Sequence, residues 1–146
     1  MKKLHNQLKG KKIPLSQVKD DAFSQGVLGK GIAIIPSEGK VYAPFDGTVV
    51  TLFPTKHAIG IVSDGGCEIL IHIGMNTVQL NGKYFKSYIH QGDRVTKGQL
   101  LVEFDIEHIL QEGYNLETPV IVTNTKDYSD INTNVNDHNI ALIAKA

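Results

Sequence analysis

TKHAIGIVSDGGCEILIHIG, residues 55–74, sets two strand-like apolar runs on either side of Ser63-Asp64-Gly65-Gly66. Asp-Gly between such runs is a strong hairpin signal, because a type I′ turn needs positive φ at both central positions. In that register Ser63 faces Gly66 and, counted outward from the turn, His57 is predicted to face His72. A four-residue loop over 63–66 preserves the match. A three- or five-residue loop breaks it and can place the two rings on opposite faces. Directly opposed residues share a face, with Cβ atoms about 4.5–5.5 Å apart. By alternation Thr55 and Gly74 fall on the histidine face. Cys67, Ile69, Ile71 and Ile73 point the other way, which reads Cys67 as a small core residue.

Outward from the hairpin the pattern continues. GIAIIP (31–36), KVYAPF (40–45), GTVVTLFP (47–54), NTVQL (76–80), RVTKGQLLVEFD (94–105), TPVIVTN (118–124) and NIALIAKA (139–146) all read as short strands. They are rich in Val and Ile and punctuated by Gly, Pro, Asp and Ser. Such spacing predicts an all-β chain, an antiparallel sandwich or barrel. One short helix is predicted near 105–112, where Asp105 caps IEHILQEG, Glu107 sits in the first turn and Gly113 ends it. A single turn around DDAFS (20–24) is the other helical candidate. No linker-like or repeated stretch interrupts the chain, so residues 1–146 are expected to form a single domain.

Composition excludes several classes. Fifteen basic and fifteen acidic side chains cancel, so no basic footprint for nucleic acid exists, and the short run Lys9, Lys11, Lys12 reads as a solvated end. Cys67 is the only cysteine, which excludes an intramolecular disulfide and a cysteine-built zinc site. No segment has the apolar length of a signal peptide or a membrane span. A soluble cytoplasmic chain with no membrane insertion is expected. Among the other histidines, His5 reads as part of a mobile end, and His90, His108 and His138 as surface residues.

The histidine pair suggests its own chemistry. A lone histidine in a strand is usually a half-exposed polar residue; two in register on neighbouring strands are less often accidental. Neutral imidazole is a good nucleophile near pH 7. One ring can take a phosphoryl group while the other hydrogen-bonds its oxygens, and the Thr55 hydroxyl can fix the tautomer of the second ring. Phosphoryl transfer asks mainly for positioning and charge stabilisation. The same rings supply half a zinc site, and no HExxH or HxH motif supplies the rest.

At these residues the chain resembles the glucose-type IIA domain of the bacterial phosphoenolpyruvate-dependent sugar phosphotransferase system. The resemblance runs through VKDDAFSQGVLGKGIAIIPSEGKVYAPFDGTVV (18–50), FPTKHAIGIVSDGGCEILIHIGMNTVQLNGKYF (53–85), QGDRVTKGQLLVEFD (91–105) and GYNLETPVIVTN (113–124). It implies an antiparallel β-sandwich. It implies that His72, in the ILIHIG box, is phosphorylated on Nε2, that His57, in the TKHA box, hydrogen-bonds the phosphate, and that Thr55 orients His57. It further implies that the Gly74 carbonyl holds Nδ1 of His72, that Asp20 of the V-x-D-x-x-F box stands at the rim, and that Phe53 and Val78 are apolar residues meeting partners. The implied donor is the small carrier HPr and the implied acceptor a cysteine of a IIB domain, with IIB/IIC permease domains downstream. No cofactor is implied. A regulatory role, in which the phosphorylation state of His72 is read by permeases or kinases, is the alternative, as is zinc shared by His57 and His72 with a partner.

The chain departs from the family pattern twice. Asn76 stands where His-x-Gly-x-Asp-Thr-Val has Asp, which keeps the shape and removes a charge. LKGKKIPL (8–15) lacks the proline that usually precedes its Gly, so a frayed first strand is expected. Two other families fit less well. QGDRVTKGQLLVEFD resembles lipoyl- and biotinyl-carrier domains, but the hairpin tip SDGG has no lysine to modify, and lysostaphin-type peptidases need an HxH pair that is absent. The absence of linker-like ends leads us to expect a free subunit.

Overall fold

A computed structural model describes residues 2–5, 7–135 and 140–145. Its strands are β1 (Lys2–His5), β2 (Leu8–Pro14), β3 (Lys30–Tyr42), β4 (Gly47–Leu52), β5 (Ala58–Ser63), β6 (Glu68–His72), β7 (Phe85–Ser87), β8 (Arg94–Val95), β9 (Leu100–Phe104), β10 (Thr118–Val122), β11 (Asp130–Asn132) and β12 (Ile140–Lys145). All the strand pairings among the described residues are antiparallel. The main sheet runs β7-β9-β3-β10-β6-β5-β4-β8, with β2 added along β3, and a smaller sheet runs β1-β12-β11. The fold is all-β, as expected.

β3 organises the main sheet. Its first half pairs with β10, its last three residues pair with β9, and β2 covers the other edge. The two sequence runs 31–36 and 40–45 therefore join into one long strand that ends at Tyr42. β2 is fully formed rather than frayed: Gly10 to Pro14 pair with Pro36 to Ile32. The run 94–105 is split by the TKGQ turn into β8 and β9. Residues 76–80 are not a strand. Asn76 takes the left-handed conformation (φ 61°) and Thr77–Leu80 coil into a 3-10 turn.

The predicted helix is α2 (Ile106–Gln111), with the Asp105 carboxylate accepting from the His108 N–H. The other helix is the single turn α1 (Asp21–Ser24), where Asp20 accepts from the Ala22 N–H. Among the remaining histidines, His5 lies in β1 opposite Ile140 and is half-buried, so it is not part of a loose end. His90 and His108 are at the surface. His138 lies outside the described residues.

The core follows from alternation on β5 and β6. Ile59, Ile61, Ile69 and Ile71 are opposed in pairs and buried, and Val120 and Val122 on β10 continue the layer. Burying each such side chain contributes about 1.5–3 kcal/mol. Strands β3 and β10 approach so closely at Gly31 that an added Cβ would lie 1.9 Å from the Val120 carbonyl oxygen. Gly31→Ala is therefore expected to cost at least about 2 kcal/mol, read as a lower urea midpoint at unchanged m-value; an unchanged midpoint would refute the steric reading.

Candidate functional site

The hairpin closes with a three-residue loop, not the two- or four-residue loop read from Asp-Gly. Ser63 N–H donates to the Cys67 carbonyl, Gly66 N–H donates to the Ser63 carbonyl, and Gly66 alone in the loop has positive φ, 93°. The second glycine takes the left-handed position that ends a type I turn, so the register shifts by one. The Arg94 guanidinium grips both oxygens of Asp64 at this tip. Ala58, not His57, stands directly opposite His72.

The rings meet nonetheless, with centroids 4.9 Å apart and planes at 84°. His57 is outside the regular strand, so alternation does not bind it. It sits in a turn where Lys56 has φ 62°, Lys56 N–H donates to the Phe53 carbonyl and Phe53 N–H donates to the Ala58 carbonyl. The Ile73 N–H donates to the His57 carbonyl and anchors the turn to β6.

Each ring has a defined second partner. His72 Nδ1 lies 2.8 Å from the Gly74 carbonyl oxygen. A carbonyl only accepts, so neutral His72 carries its proton on Nδ1 and leaves a bare lone pair on Nε2. Thr55 Oγ1 and His57 Nδ1 are 2.5 Å apart. Burial lowers the His57 pKa to about 4, with the neighbouring His72 charge acting in the same direction. His72 is also lowered by burial, against the opposing pull of its Gly74 hydrogen bond and the Asp20 charge. Both rings are thus neutral near pH 7.

The rings are part of an aromatic row. Phe23 packs on His72 at 5.0 Å and Phe53 stands edge-on to His57 at 5.4 Å. Thr55, His57, His72, Gly74 and Phe53 are thus brought together, and Asp20 is close enough for its charge to act on His72. Asn76 and Val78 lie exposed on the following turn, at the surface rather than packed into the ring cluster. Phe23 is the residue that sequence reasoning missed as part of the site; the closing Phe of the V-x-D-x-x-F box was the available signal. Among the described residues no group of three or more His, Cys, Asp or Glu could hold a metal ion.

An antiparallel β-sandwich with a neutral, apposed histidine pair at one end of its central strands is the class that fold and site define. The family model of the phosphoenolpyruvate-dependent sugar phosphotransferase system, EIIA 1, matches residues 2–128, and the chain belongs to that family. It is 57% identical over 122 residues to the PTS system beta-glucoside-specific EIIBCA component of Halalkalibacterium halodurans, covering 84% of this chain and 19% of that protein. The component of the same name from Bacillus subtilis is 56% identical over 126 residues, 86% of this chain and 21% of the other. The chain thus spans about a fifth of the length of these curated relatives. The solved structure of glucose permease IIA from Mycoplasma capricolum superposes with a TM-score of 0.85 at 35% identity, covering 96% of this chain and 93% of that one. No helix among the described residues is long and apolar enough to cross a membrane.

The lowered pKa values carry a sign. Between the ordinary histidine value and pH 4 the unfolded chain binds more protons than the folded one. Stability should therefore fall as pH drops from about 6.5 to 4, by at most about 1.4 kcal/mol per pH unit for His57. A nitrogen-15 titration should find the His57 ring neutral at pH 5.5; a midpoint near 6.5 would contradict the burial argument.

Proposed function

We propose that the chain is a cytoplasmic phosphocarrier that takes a phosphoryl group on Nε2 of His72 and passes it on for sugar uptake. The observation that carries this reading is the Nδ1–H to Gly74 carbonyl bond, which leaves Nε2 as a lone pair beside the second neutral ring. The donor is the phosphohistidine of HPr and the acceptor a IIB cysteine. In the first step the His72 Nε2–P bond forms as the donor's N–P bond breaks. In the second a P–S bond forms to the cysteine thiolate and the Nε2–P bond breaks, returning the lone pair to Nε2. The proton stays on Nδ1, donated to the Gly74 carbonyl throughout, so no proton need be shuttled at the reacting nitrogen.

His57 supplies the oxyanion partner. With the Thr55 hydroxyl donating to its Nδ1, its proton sits on Nε2 and can donate to the phosphoryl oxygens. Asp20 and Phe53 frame the approach. A groove lined by Val50, Phe53, Gly60 and Leu70, with Thr51, Glu68 and Thr123 as polar lining, runs along β4 to β6 from Phe53, the ring that stands against His57. A shallow apolar surface suits a site that meets two partners in turn. Val78, half-exposed beyond Asn76, extends the apolar rim.

Purified chain incubated with phosphoenolpyruvate, enzyme I and HPr should gain one phosphate by intact mass. His72→Ala should gain none, and His57→Gln should slow onward transfer by about 10²–10³, the usual effect of losing one oxyanion donor. A wild type that stays unphosphorylated would overturn the reading. Asn76→Asp puts a negative charge in the turn that follows His72, which should raise the His72 pKa and repel incoming phosphate. A severalfold change in transfer rate with at least one partner is expected; equal rates for both proteins would show that position 76 is electrostatically silent.

A further inference from the structure

We infer that Thr77 is a positioning residue for His72: its buried hydroxyl sets the peptide geometry that aims the Gly74 carbonyl at Nδ1. The inference begins with Gly74 itself. Its φ is +79°, a conformation that side chains rarely adopt, and an added Cβ would lie 2.7 Å from the Thr77 methyl and 2.9 Å from the Asn115 carbonyl oxygen. The direction of the Gly74 carbonyl depends on the two peptide planes that flank its Cα. Both planes are held. The Thr77 hydroxyl donates to the Ile73 carbonyl at 2.5 Å, which holds the plane before Gly74. The Met75 N–H donates to the Asn115 carbonyl at 2.8 Å, which holds the plane after it.

The backbone of Ile73 also ties the two histidines together. Its N–H bonds to the His57 carbonyl at 2.7 Å, while its carbonyl takes the Thr77 hydroxyl. Thr77 is 0% exposed, so no water stands ready to replace that hydroxyl. Without it the Ile73 carbonyl is left buried and unsatisfied, and the Ile73–Gly74 plane is free to rotate. The Gly74 carbonyl is then held from one side alone, by the Met75–Asn115 bond, and its aim at Nδ1–H loosens. A neutral imidazole without a fixed acceptor divides between its two tautomers, and in one of them Nε2 carries the proton and has no lone pair. Thr77 thus acts two steps away from the reacting nitrogen, through a carbonyl and a hydrogen bond, and touches neither phosphate nor partner.

The tautomer can be read directly. In nitrogen-15 spectra the wild-type His72 ring should be wholly the Nδ1–H form at pH 7.5. Thr77→Val, nearly the same shape without the hydroxyl, should give a mixture, and Thr77→Ser should restore the single form. Transfer from phospho-HPr should fall about tenfold or more in Thr77→Val and stay near wild type in Thr77→Ser. A folded Thr77→Val with a pure Nδ1–H His72 overturns the inference, as does a folded Thr77→Ser that fails to restore it. Should Thr77→Val not fold, the wild-type spectrum decides: a slowly exchanging Thr77 hydroxyl proton coupled to the Ile73 carbonyl carbon supports the inference, and a rapidly exchanging, uncoupled one refutes it. The rate readout rests on the phosphocarrier reading, but the tautomer readout does not. A chain that accepts no phosphate yet shows the tautomer pattern would sink the function and leave the role of Thr77 standing.

Discussion

The β5–β6 ladder is the constraint on which the remainder depends. Ile59 opposite Ile71 and Ile61 opposite Ile69 bury one face completely, so a slip by one residue would put a row of isoleucines in water. That penalty locks the register, and the locked register delivers His72 to the last position of β6. β10 and β4 on either side hold the pair in the middle of the sheet, away from any fraying edge. The site is therefore built at the end of a strand paired on both sides, where its geometry is inherited from the core.

Burial and hydrogen bonding divide the electrostatic work. Removing the rings from water keeps both uncharged near neutrality, because desolvation penalises the imidazolium. Neutrality alone leaves two tautomers open. The fixed carbonyl of Gly74 resolves that choice for His72, and Thr55 gives His57 a hydrogen-bonding partner of its own. Phe23 and Phe53 close the two ends of the row and keep the ring planes in place without adding charge. Asp20 is the one carboxylate whose charge acts on His72, and Asn76 is neutral where the family pattern has a second.

Much of this was legible in the residues. Alternation in CEILIHIG placed Cys67 and the isoleucines inside, and they are inside. Asp105 and Gly113 bracketed the one multi-turn helix, because capping chemistry is local. The histidine pair was read correctly as a pair and wrongly as directly opposed. The Asp-Gly-Gly loop admits two registers, one with Asp64 and Gly65 at positive φ and one with Gly66 alone there, and the structure takes the second. Residues 76–80 misled in the same way: NTVQL has strand composition, but a left-handed Asn76 and the Thr77 hydroxyl bond turn it into a 3-10 coil.

By itself, then, the sequence determined the strand-rich class, the inward face of the central hairpin and which two histidines come together. These depend on periodicity and residue chemistry, which act over a few neighbours. Only the tertiary structure decided how the rings meet. The 53–57 turn lifts His57 out of the strand's alternation and is tied to β6 through the Ile73 N–H. Phe23 reaches His72 from α1, far away in the chain, and the Asn115 carbonyl pins the Gly74 loop from beyond α2. Such contacts are set by where whole elements pack, and no local pattern in the chain encodes them.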